Sequence, residues 1–501
     1  MRRRNKISFV HILSVPVLRN ILCIFVIVLL CASFSYADDN NTVYANIKSI
    51  TEIALNNNLD IQIARFDSYI QRNNLPEAES IFDTFINAGI SYDKNKEDTA
   101  STLTGTAGSV NNYSVGINKK IPSGTALDVE AYNQRSWSDS SFYTTNPGTE
   151  ANVKVSLTQS LARNFFGIID RGNIKITKLD IKNSDFTSLN EIESSLARAQ
   201  RAYWELVLKL NELKIKKSML KEARKLYSIY QRKIKTGLVE EPDLLAAGAN
   251  VSLRENDVLK SQMELREAQN NLLYLINSDT KKNIVPLDNL DTKVDKVDLY
   301  RELKEALKTR RDYKIARNQL SSENINLVLK RNSLWPQIDV STSFAKNGIN
   351  SSYKNAWSEV SSENHSEWYV GVNINFSLEK RKEKAQYNKA KLSKARAIVV
   401  IKRIERLIFK DINNSVTELN IISAQVDTNR KIVRLQEQKL KAEERRLRYG
   451  RSSSDVIIRF QNDLLNARLG LANSLFLYRI SRINLERNKN ILLSKYWKGV
   501  I

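Results

Sequence analysis

Residues 306–317 read ALKTRRDYKIAR, and residues 54–65, at an offset of 252, read ALNNNLDIQIAR. Ala54, Leu55, Asp60, Ile63, Ala64 and Arg65 recur as Ala306, Leu307, Asp312, Ile315, Ala316 and Arg317. The register runs on without a gap into two alternating segments, Ile86 to Tyr92 and Ile338 to Phe344. Later in each half a glycine, Gly237 or Gly450, precedes apolar residues at every seventh position. These are Leu244, Val251, Val258, Leu265 and Leu272 in one half and Ile457, Leu464, Leu471, Tyr478 and Leu485 in the other. Internal duplication decides the architecture before any local propensity does. A strand-plus-long-helix unit, present twice, predicts a tube, and a tube predicts a conduit.

The helices are long and periodic. Leu189, Ile192, Leu196, Ala199, Tyr203, Leu206, Leu210 and Leu213 follow strict three–four spacing, continued by Leu220, Tyr227 and Ile234. Ile412, Leu419, Val426, Val433, Leu440 and Leu447 repeat every seven residues in the second half. Such seams require coiled-coil packing. Neither Gly nor Pro interrupts Asn173 to Thr236 or Leu378 to Tyr449, so each run reaches roughly 95–105 Å at 1.5 Å per residue. The shorter helices after each glycine, with those expected near Asn46 to Phe82 and Val297 to Leu334, supply the length needed to flank each long one. Pro286, Asp288 and Asp291 mark 279–296 as an irregular linker between a first half, 38–278, and a second, 297–501.

The strand signal is shorter. Val153, Val155 and Leu157 alternate with Lys154, Ser156 and Thr158; Trp368, Val370, Val372, Ile374 and Phe376 alternate with Tyr369, Gly371, Asn373 and Asn375. One apolar and one polar face over about nine residues is the pattern of an outer-membrane strand, with Trp368 and Phe376 placed as a girdle. Half of a soluble sandwich gives the same alternation. The first half adds a hairpin: Tyr113, Val115 and Ile117, a turn at Pro122 to Thr125, then Leu127, Val129 and Ala131. Gln134 to Glu150 and Lys346 to Glu367 are rich in Ser and Asn and read as extracellular loops. The fold class is mainly α with a transmembrane β part.

Composition narrows the function. Arg2, Arg3, Arg4 and Lys6, an apolar run from Ile21 to Ala32, and Ser35-Tyr36-Ala37 make 1–37 a cleaved secretory signal. Both cysteines, Cys23 and Cys31, and His11 fall in that segment, which leaves His365 as the only later histidine. No catalytic, metal or cofactor constellation is expected, hence no enzyme. Without the signal, 73 basic residues face 55 acidic ones, a net +18, spread along helix faces and not clustered with aromatics. Export and that spread exclude a nucleic-acid partner. No later stretch is apolar enough for a transmembrane helix, so a membrane would be crossed by a closed barrel. Four to six strands cannot close one, because at least eight are needed. Copies must combine.

Lys235-Thr236-Gly237-Leu238-Val239 with Asp243, Arg448-Tyr449-Gly450 with Asp455-Val456, and the closing run Leu471 to Leu485 together resemble the TolC family of outer-membrane efflux and secretion channels. The resemblance spans essentially the whole chain after the signal. It implies a homotrimer in the cell outer membrane that extends into the periplasm and shares one β-barrel and one α-helical tunnel. It implies a passive exit duct for a tripartite efflux or type I secretion system. The implied partners are outer-membrane lipid, a periplasmic adaptor (membrane fusion) protein, and an inner-membrane pump or ABC transporter. Three chains would give 12 strands from the duplicated pairs, or 18 if the extra hairpin joins; it could also extend beyond the barrel. Gly237, Leu238, Val239 and Gly450 are the expected adaptor-contact tips, and Gly suits the left-handed turn that ends a long helix. Asp455 and Asp243 are expected at the periplasmic aperture, where three carboxylates around one axis would favour cations. For Asp455, a place at the start of a helix also reads as an N-cap or first-turn acid. The alternative function is an exported periplasmic coiled-coil adaptor or scaffold without a pore. The segment Trp368 to Phe376 separates the two, since a scaffold has no use for a two-faced strand bounded by aromatics.

Overall fold

The computed structural model describes residues 42–96, 103, 105–362 and 365–496; the expected signal, 1–37, lies outside them. The first half runs β1 (Thr42–Ala45), α1 (Ile47–Asn57), α2 (Leu59–Arg72), α3 (Asn74–Glu79), β2 (Thr84–Lys96), β3 (Ala107–Lys120), β4 (Thr125–Ser138), β5 (Gly148–Ser160), α4 (Ile168–Ile234) and α5 (Glu241–Leu275). The second runs β6 (Asn283–Pro286), α6 (Leu299–Thr309), α7 (Arg311–Asn332), β7 (Gln337–Asn350), α8 (Tyr353–Ser362), β8 (Ser366–Asn375), α9 (Arg381–Arg448), α10 (Ser454–Asn488) and α11 (Leu492–Tyr496). The duplication is thus structural: α1–α2 answer α6–α7, β2 answers β7, and α4–α5 answer α9–α10.

Local chemistry sets the helix starts. Asn46 and Ser49 form a capping box on α1, and the Asn58 and Asp298 side chains accept from the first-turn amides of α2 and α6. α4 and α9 hold 67 and 68 residues, about 100 Å each. The heptad seams are the buried seams: Ile192, Leu196, Tyr203 and Leu206 of α4 meet Ile412, Leu419 and Val426 of α9 and Tyr478 of α10 in the main core. A second core of Met219, Leu226, Tyr230, Leu440, Leu447, Ile457 and Leu464 lies toward the far ends. Each such side chain contributes about 1.5–3 kcal/mol on burial. At Gly172 a Cβ would stand 2.5 Å from a Leu329 methyl, so glycine is what lets α4 approach α7.

The halves are joined more firmly than the linker reading allowed. Within 279–296, β6 pairs in parallel with β1, from Thr42 opposite Asn283 to Ala45 opposite Pro286. The Tyr203 hydroxyl donates to Asp288 at 2.7 Å and is fully buried. A four-residue strand shows only two periods, and its partner is far away in the chain, so no local pattern announces it.

Among the described residues the larger sheet has six strands, all antiparallel, in the order β2-β3-β4-β5-β7-β8. The extra hairpin, β3–β4, stands inside this sheet between β2 and β5, and so does not extend beyond it. Two expected loops also change. β4 continues to Ser138 and β5 begins at Gly148, which shortens the first; the second contains α8. Phe376 falls one residue past the end of β8.

Candidate functional site

Six strands in register carry the alternation across the whole sheet. One cross-strand row reads Ile86, Ile117, Val129, Val155, Phe344 and Trp368, and the next reads Ala88, Val115, Ala131 and Val153. The opposite face carries Asn87, Gly116, Glu130, Lys154, Ala345 and Glu367 in one row and Asn118, Asp128, Ser156 and Ser343 in another. Its polar groups bond to one another: the Asn118 amide links Asn87 to Asp128, Tyr132 donates to Glu150 at 2.9 Å, and Ser160 to Asp339 at 2.7 Å. The hairpin obeys the same parity as its neighbours. Trp368 and Phe376 are 77% and 54% exposed. Among the described residues, both outermost strands, β2 and β8, are unpaired on one side within a single chain. Open edges of 13 and 10 residues are untenable in lipid and hazardous in water.

The far ends of the long helices form two tips with the same backbone device. Gly237 (φ +67°) and Gly450 (φ +70°) are left-handed. After each glycine, an amide reaches back over the last turn: Leu238 N–H to Lys233 O at 3.0 Å, and Arg451 N–H to Arg446 O at 2.9 Å. This is the Schellman closure. A Cβ at either glycine would meet nothing within 4 Å, so the requirement is conformational alone. Leu238 is 72% exposed at its apex, whereas Val239 packs on the second core.

Asp243 and Asp455 part company. The Ser454 hydroxyl donates to Asp243 at 2.5 Å, tying the first tip to the second. Burial first, then the nearby Asp243 charge, raises the pKa of Tyr230 beneath them. Asp455 is exposed in the first turn of α10, whose N-cap is Ser453. Its carboxylate therefore does not cap the helix; it lies free at the positive end of the helix dipole. Arg446 bridges to Glu443 at 3.3 Å. Among the described residues no group of His, Cys, Asp or Glu could hold a metal, and no helix is long and apolar enough to cross a membrane.

Sequence reasoning missed the ion pair that welds the two repeats. Glu193 of α4, fully buried, accepts from Arg311 of α7, from Asn490 at 3.0 Å and from the Leu493 amide at 3.1 Å. It also missed how charge divides between the sheet faces, although strand parity alone would have shown it.

Residues 303–488 match the family model described as Outer membrane efflux protein. No curated protein matches the chain in sequence. Among solved structures, the chain is similar to CusC, described for its folding and transmembrane channel formation (TM-score 0.67, 15% identity, 91% of this chain and 95% of that one). It is also similar to the outer membrane protein VceC from Vibrio cholerae (0.64, 14%, 89% and 96%). The open-state Neisseria gonorrhoeae MtrE outer membrane channel gives 0.64 at 16% identity, covering 89% of each chain. The second repeat thus matches the outer membrane efflux protein model, and over nearly its whole length the chain shares the fold of solved outer-membrane channels.

Proposed function

We propose that three copies of this chain close a common β-barrel through the outer membrane and a helical tunnel below it, as the passive exit duct of a tripartite efflux or type I secretion system. The observation that carries this reading is the six-stranded sheet, with one apolar face, one polar face and two open edges, set on helices of about 100 Å. Three such sheets provide 18 strands, within the range whose interior is an aqueous channel. The polar face would line the lumen and the apolar face would meet lipid.

The tips stand farthest from the sheet, where a periplasmic adaptor fed by an inner-membrane pump or ABC transporter would arrive first. Leu238, exposed on a hydrogen-bonded turn, and Gly450 on the other tip suit that contact. Asp455, which makes no cap bond, would supply a ring of carboxylates when three tips converge. The polar face carries Asp93, Asp128, Glu130, Glu150, Asp339 and Glu367 against Lys120 and Lys154. Lys120 is spent on Asp170 at 2.7 Å, which sharpens the negative balance and favours cations.

Purified protein in planar bilayers tests the reading. Small, cation-preferring conductances from a trimer are expected; a soluble monomer without conductance would favour the poreless scaffold. Asp455→Asn is expected to raise resting conductance or reduce cation preference. Unchanged behaviour in both would leave Asp455 a first-turn helix acid and nothing more.

A further inference from the structure

Charge is sorted by face with an asymmetry that a pore alone does not require. On the apolar face the charged residues are Lys94, Lys96, Lys119, Arg135 and Lys346, with no acid among the described strand residues. Four of these five stand at one level. Counted from the helix-side end of its strand, Lys94 is ten residues above Thr84, Arg135 ten above Thr125, and Lys346 nine above Gln337, with Lys96 just beyond. Ten residues extend about 33 Å at about 3.3 Å per residue. At the usual strand tilt of roughly 35–45°, that is a height of about 25 Å, the thickness of the apolar band of an outer-membrane barrel. The four cations therefore ring the outward margin of the band, and none has a carboxylate partner among the described residues.

A second feature lies at the same margin. α8 packs across the same outer face: its Tyr353 ring meets Tyr113 edge-on at 6.2 Å, and the Arg135 guanidinium sits 5.2 Å from the Tyr353 centroid. Beneath this helix opens an apolar cleft of about 590 Å³, lined by Ile90, Tyr113, Val115, Ala131, Tyr353 and Trp357. A guanidinium above an apolar slot that opens toward lipid matches a molecule with an anionic head and hydrocarbon chains.

We propose that Lys94, Lys96, Arg135 and Lys346 form a belt that binds the phosphate groups of an anionic outer-leaflet lipid, with one acyl chain seated under α8. The proposal rests on the membrane placement given above. Phosphate on a lipid suits it better than free phosphate, because the cations are aligned along a membrane margin and not gathered into a pocket.

Wild-type trimers, a Lys94→Gln/Lys96→Gln/Arg135→Gln/Lys346→Gln variant, an Arg135→Gln/Lys346→Gln variant and a Lys119→Gln control are placed in nanodiscs. The discs contain phosphatidylethanolamine with either bis-phosphorylated or dephosphorylated lipid A, and retained lipid is counted by native mass spectrometry. Wild type and Lys119→Gln are expected to retain the phosphorylated form about tenfold over the dephosphorylated one. The fourfold variant is expected to lose that preference, and the double variant to lose part of it, which keeps the test alive if the fourfold variant fails to assemble. Equal retention of both lipids by wild type overturns the belt, as does displacement of the lipid by excess inorganic phosphate. Conductance of the same preparations separates the two readings: conducting trimers without lipid preference sink the belt and leave the duct, whereas non-conducting wild type counts against the duct.

Discussion

Arg311→Met is expected to destabilise the protein by about 3–5 kcal/mol, because it leaves the Glu193 carboxylate buried and without its cation. Glu193 and Arg311 are 1% and 9% exposed in their side chains, so water cannot take the place of the lost partner. The remaining donors, Asn490 and the Leu493 amide, are neutral and cannot match a guanidinium. Converting Glu193 to Gln in the same chain is expected to restore most of the loss, since breaking a buried pair costs far more than removing it whole. Denaturant unfolding in detergent, followed through tryptophan emission to which the buried Trp204 contributes, measures both. The coupling has structural meaning: Glu193 lies on the long helix of the first repeat, Arg311 on α7 of the second, Asn490 in the turn after α10 and Leu493 on α11. A loss below about 1 kcal/mol, the worth of an exposed pair, would show the site open to water.

Val129→Arg and Glu130→Arg are adjacent substitutions with opposite expected outcomes. Val129 lies on the apolar face of β4, in the row of Ile117 and Val155. An arginine facing the mid-bilayer costs about 2–4 kcal/mol, and a trimer carries it three times, so loss of assembled, heat-resistant trimer is expected. Glu130 is on the polar face, where substitution tunes selectivity instead; assembly is retained and cation preference falls. The pair bears on the extra hairpin directly. A hairpin standing outside the wall would tolerate both changes alike, and equal yields of the two variants would mean just that.

The helical part was legible because its period is local: Ile192 to Leu206 and Ile412 to Val426 are buried where the heptads put them. The glycine tips were legible for the same reason, since a left-handed residue that ends a helix leaves few choices. What sequence could not supply was non-local. The position of β3–β4 within the sheet depends on partners up to 35 residues away, as in Thr84 opposite Lys119. The bond from Ser454 to Asp243 spans 211 positions, which hid the role of Asp243 in joining the tips. α8 was read as loop because its ten residues, three of them Ser and one Asn, carry weak helix propensity; packing of Tyr353 on Tyr113 and Ala356 over Gly348 holds it. The charge sorting of the sheet could have been seen beforehand, since Asp93 and Lys94 already point to opposite faces.

The strand count around the detergent-extracted particle tests the central claim most directly. An image by electron cryo-microscopy is expected to show three chains and 18 strands, three times the six of one sheet, with β2 of one copy paired to β8 of the next. A 12-stranded wall with the hairpin splayed outside it, or a lone chain whose sheet edges stay open, would contradict it.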